Sequence, residues 1–103
     1  MKQLIVSSTA PLAVEMACEI ADDFINKKHY LENNTHIITW CGNMDLTSQC
    51  EKGIKHQLGV LKALCVRHDV SEIINACEAD SHQAMVFDLI YQYFKPPKIY
   101  RNN

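Results

Sequence analysis

A chain of 103 residues with 48% apolar and 21% charged residues has the composition of one ordinary globular domain, which excludes an intrinsically disordered chain. Its formal net charge of −2 and pI near 6.2 exclude a strongly basic binder of nucleic-acid phosphates. No run approaches the roughly 20 apolar residues that a membrane-spanning helix needs.

Residues 3–7, QLIVS, are a short β-branched run ending in the SSTAP cluster, and they predict a first strand. This opening is a poor signal peptide, because the apolar run is brief and Glu15 and Glu19 follow it. Thr9 is a suitable N-cap and Pro11 a suitable first-turn residue for a helix. Leu12, Ala13, Met16, Ala17, Ile20 and Phe24 recur at helical spacing, and Lys27, Lys28 and His29 are placed where a helix dipole favours cations. Val14, Cys18, Ala21 and Ile25 add a second apolar stripe, so this long first helix is expected to be covered on two sides.

LENNTH reads as a turn, and HIITW, residues 36–40, as a second strand. Strand, helix and strand in that order predict a βαβ unit. Asp45 or Ser48 caps the next predicted helix, with Ser48 and Glu51 spaced as a capping box. Its seam is Leu46, Cys50, Ile54, Leu58, Leu61 and Cys65, with Val60 and Leu64 beside it; Gly53 and Gly59 weaken it, or admit a neighbouring helix closely. A break is expected near Arg67 and His68. Asp69 and Glu72 then suggest a short third helix, SEIINACEA, and a fourth runs from Asp80 and Ser81 through HQAMVFDLIYQYF. Pro96 and Pro97 stop it and leave a tail.

The expected fold is therefore a helix-rich α/β domain over residues 1–95, with four helices and a minimal two-stranded βαβ unit, followed by a tail over residues 96–103. An all-α helical bundle is the alternative if the two β-branched runs are not strands.

Five cysteines form no C-x-x-C pair and are odd in number, unlike the even framework of a secreted disulfide scaffold. A reducing, cytoplasmic setting is the expectation. Cys65, His68, Cys77 and His82 supply thiolate and imidazole, ligand types that suit zinc, but their spacing matches no usual structural-zinc pattern. No metal and no cofactor are expected. A βαβ unit would bring Ser7, Ser8, Thr9, Cys41 and Asn43 to the strand ends, where α/β sheets bind ligands. That makes a small-ligand or anion site, or a cysteine nucleophile with His36 or His56 as base, the alternative function. The three glycines form no phosphate loop and no catalytic motif is present, so an enzyme is not the first expectation. The LKALCVRHDVSEIINAC stretch has helix-turn-helix form and makes a DNA-binding regulator the second alternative, although Glu72 and Glu78 would face phosphates.

What remains is a small regulatory, inhibitor or adaptor protein acting by contact with another protein and with itself as a homodimer. Met85, Phe87, Tyr91 and Phe94 on the last helix are the expected interface, because aromatic residues and Met are enriched at interface cores.

Overall fold

A computed structural model describes residues 1–42, 51–78 and 82–102, with the side chains of residues 51–56 and 82 outside that description. Asp45, Leu46, Ser48, Cys50, Asp80 and Ser81, the side chains of Glu51 and Ile54, and the surroundings of Gly53 thus lie outside the described residues.

The chain runs β1 (Lys2–Ser7), α1 (Ala10–Ile20), β2 (Ile25–Asn26), β3 (Leu31–Glu32), β4 (His36–Trp40), α2 (Glu51–Cys65), β5 (Val70–Asn75), α3 (His82–Phe94) and β6 (Ile99–Asn102). One six-stranded sheet has the order β2-β3-β4-β1-β5-β6. β4, β1, β5 and β6 are parallel neighbours, and β2 and β3 add an antiparallel edge.

The sheet is buried on both faces, as parallel sheets require. Side chains alternate along β1, so Leu4 and Val6 enter one core and Ile5 the other. The first core joins Leu4, Val6, Ile37 and Ile73 to Leu61, Leu64 and Cys65 of α2 and to Val86 and Phe87 of α3. The second joins Ile5, Leu31 and Ile38 to Ala13 and Ala17 of α1. Helices thus cover opposite faces, α1 on one and the α2/α3 pair on the other.

This mixed α/β architecture, with six strands and three helices, replaces the expected helix-rich domain and its all-α alternative. Three local causes account for the difference. The segment read as a third helix is β5: Val70, Ile73 and Ile74 pair beside β1, while Asp69 binds Arg67 through two side-chain hydrogen bonds instead of capping a helix. No second helix of a helix-turn-helix exists there. α1 ends at Ile20, and Phe24, beyond the helix, packs against the core that α1 covers. Val14 and Cys18 are exposed, so α1 is covered on one side. Finally, the tail forms β6 along β5.

The turn between β2 and β3 uses Lys28 at φ 82. Asn26 Oδ1 accepts from the Lys28 N–H at 2.8 Å, which stabilises this left-handed residue. At the amino-terminal end of the sheet, Glu32 accepts from Lys2 at 2.6 Å and Arg67 at 2.7 Å. Lys98 Nζ donates to the carbonyls of Arg67 and Val70, fixing the start of β6.

Candidate functional site

Two regions carry the residues singled out from sequence. The first is the carboxyl end of the central strands. Connections from β1 lead to one side of the sheet and those from β5 to the other, and such a reversal is where open α/β sheets form a ligand crevice. Ser7, Ser8, Thr9 and Cys41 do come together here, and Asn43 lies outside the described residues.

Each hydroxyl in this group has work within the fold. Ser7 Oγ donates to the Thr9 carbonyl at 2.8 Å or the Thr39 carbonyl at 3.2 Å. Ser8 Oγ accepts from the Glu78 N–H at 3.2 Å, and Thr9 Oγ1 accepts from the Leu12 N–H as the N-cap of α1. The Cys41 N–H donates to Ser7 and the Gly42 N–H to Ser8, which extends the β4 to β1 ladder past its last pair. Gly42 takes φ +66, a left-handed conformation that favours glycine.

Sequence reasoning missed the arrival of Cys77 beside this group. In register, Ser7 pairs with Trp40 on one side and Val6 with Asn75 on the other. Cys41 and Cys77 therefore stand level with Ser8, one on each flank of β1. Asn75 Oδ1 accepts from the Cys77 N–H at 3.2 Å and bends that segment inward. Both cysteines are buried in the larger core, with β1 between them. The neighbouring Cys77 sulfur, and then burial, push the Cys41 thiol up. The nearby Cys41 and Ser8 side chains hold Cys77 below the usual thiol range against the cost of its burial.

Of the remaining candidate metal ligands, Cys65 is buried and its thiol is pushed up to about 12 by burial. His68 is exposed, and the His82 side chain lies outside the described residues. Among the described residues no three such groups are gathered for a metal. His36 lies beside Thr35, with Nδ1 at 2.8 Å from the hydroxyl, and His56 is outside the side-chain description.

The second region is the outer side of α2 and α3. Phe87 is completely buried and fills the monomer core. Tyr91 stacks on Tyr100 with ring centroids 3.9 Å apart, and its hydroxyl donates to the Lys98 carbonyl at 3.2 Å or the Pro96 carbonyl at 3.4 Å. Met85 is 63% exposed, and Leu89 and Tyr93, one and two turns further on, are 64% and 86% exposed. This spacing makes one apolar ridge along α3.

Beside the ridge an open groove of about 510 Å³ is lined by Leu58, Gly59 and Lys62 of α2 and by Val86, Ile90 and Phe94 of α3, with Leu89 and Tyr93 at its rim. Lys62 Nζ stands 5.8 Å from the centre of the Phe94 ring. A Cβ placed on Gly59 meets no atom within 4 Å. Leu89 and Tyr93 can be found from sequence only by completing the i, i+4, i+8 row that starts at Met85.

No known family model matches this chain, and comparison with curated proteins finds no match. Among the described residues, no helix is long and apolar enough to cross a membrane.

Proposed function

We propose that this protein acts by contact with another protein, and that its α2/α3 face joins two copies of the chain. Gly59 carries the reading. Glycine inside a helix costs about 1 kcal/mol relative to alanine, and nothing in the monomer needs the missing side chain, since a Cβ there would touch no atom. The space opens onto an apolar groove, where an incoming side chain gains from it.

A ridge of Met85, Leu89 and Tyr93 borders that groove on the same molecule. Such a surface is self-complementary about a twofold axis, each ridge entering the other copy's groove. Burying one large apolar side chain yields about 1.5–3 kcal/mol. Three from each protomer give a gain comparable to the roughly 4–15 kcal/mol lost on association. A weak, concentration-dependent homodimer follows, able to exchange its second copy for another partner.

Sedimentation equilibrium across a wide range of concentrations tests this. The mass is expected to rise toward the dimer value, and Leu89→Glu and Gly59→Leu are each expected to hold it at the monomer value with an unchanged circular dichroism spectrum. A wild-type chain that stays monomeric at millimolar concentration, or a Leu89→Glu variant that still dimerises, overturns the reading.

A further inference from the structure

The α2/α3 groove has a feature that contact between two copies does not require, a positive charge at one end of an otherwise apolar trough. We propose that the groove binds a single-chain anionic amphiphile of the fatty-acid class, its alkyl chain lying between the two helices and its carboxylate meeting Lys62.

Three observations carry the site. The first is its shape. Val86, Ile90 and Phe94 line it at i, i+4 and i+8 along α3, a run of about 12 Å, and Leu58 and Lys62 line it one turn apart on α2. Its volume of about 510 Å³ falls within the roughly 300–1,000 Å³ of small-molecule pockets. Gly59 widens it, since a Cβ there meets no atom within 4 Å.

The second is its lining. Only Lys62 and Tyr93 among the lining residues carry a polar side-chain atom, and no acidic residue is among them. An alkyl chain that enters therefore displaces water from hydrocarbon without stranding a polar group.

The third is where the charge sits. The Lys62 ammonium stands 5.8 Å from the centroid of the Phe94 ring, an attraction that holds it over the groove wall. Among the described residues no carboxylate pairs with it. Phe94 also lines a second groove, of about 620 Å³, whose charged lining includes Arg67, Lys95 and Lys98 and no acidic side chain. Arg67 is engaged by Asp69 and Glu32, and the Lys98 ammonium by two carbonyls, so Lys62 and Lys95 set the sign at this end. An anionic head group is favoured there over a neutral or cationic one.

Ligand and second copy would occupy the same groove and exclude each other. That consequence rests on the homodimer reading, whereas binding to the monomer does not.

The test is methyl NMR of the full chain, at a dilution where sedimentation shows a monomer, with decanoate, decanol and decyltrimethylammonium as probes below their micelle-forming concentrations. Decanoate is expected to shift the Leu58, Val86 and Ile90 methyls saturably, more tightly than decanol and more tightly still than decyltrimethylammonium. Lys62→Met is expected to weaken decanoate about fivefold, the worth of an exposed ion pair, and to leave decanol unchanged. Gly59→Leu fills the groove and is expected to abolish the shifts. The proposal is overturned if decanoate leaves these methyls unmoved, binds no more tightly than decyltrimethylammonium, or keeps its affinity in Lys62→Met. The two readings fail separately. Decanoate bound with this Lys62 dependence in a chain that never dimerises keeps the ligand site and removes the homodimer. A dimer whose population decanoate leaves unchanged, with the groove methyls of the monomer unmoved, keeps the homodimer and removes the ligand site.

Discussion

Phe87, an interface residue by sequence expectation, is part of the larger core and completely shielded from solvent. Its ring lies 6.2 Å from that of Tyr100 between centroids, in a core built from β1, β4, β5, α2 and α3. Phe87→Ala is expected to cost about 3–5 kcal/mol, read as a lower midpoint in urea unfolding. At the amino-terminal end of the sheet, burial raises the Glu32 pKa, but hydrogen bonds from Lys2 and Arg67 outweigh it and hold the carboxyl below its usual range. The Arg67 hydrogen bond likewise lowers Asp69. Because the folded values are depressed, this stabilisation is complete above the ordinary carboxylate range near pH 4 and is lost as pH falls below it. Thermal melts between neutral and acid pH are expected to fall less steeply for Glu32→Gln than for the wild-type chain. An identical slope would mean that the cluster is too well solvated to matter.

At the scale of the element, β6 shows how a proline-rich end becomes part of a sheet. Tyr100 reaches from β6 to donate to Asp88 of α3, and Asn75 Nδ2 approaches the Ala84 carbonyl, the Asp88 carboxylate and the Tyr100 hydroxyl, tying β5, α3 and β6 at one point. Burial, with Asp88 adding to it, raises the Tyr100 pKa, so this phenol stays a donor through the alkaline range in which exposed tyrosines ionise. The stacked Tyr91 and Tyr100 rings are expected to show a coupling of about 0.5–1.5 kcal/mol in a double-mutant cycle with alanine; additive losses would reduce the stack to ordinary burial. Elements of this kind are hard to read from sequence. QLIVS and HIITW announce strands through β-branched runs, and α3 through a long apolar stripe. VSEIIN carries equally good β residues behind an Asp and Glu that mimic a cap, and only the free edge of β1 decides between helix and strand. The two-residue β2 and β3 are shorter than any periodicity can register. At the strand ends, Cys41 was visible as the residue after a strand, whereas Cys77 was hidden by the same misread segment.

For the molecule as a whole, the central strand comes first in the sequence and its partners much later. Ser7 bonds to the Thr39 carbonyl across 32 positions, and Cys77 to the Val6 carbonyl across 71. No stretch of chain near β1 can complete its ladder, because loops of that size must be closed before any pairing is gained. Local order is confined to the helices and the short β2/β3 and β3/β4 hairpins. Folding is therefore expected to be a late, concerted closure of the sheet, with relaxation in milliseconds to seconds instead of the microseconds of a helical bundle. Stopped-flow refolding measures this directly, and a microsecond phase carrying most of the amplitude would contradict it. A β1 that waits for both neighbours also leaves its apolar edges open throughout synthesis, so the interval in which this chain is most exposed to aggregation is set by the order of its strands.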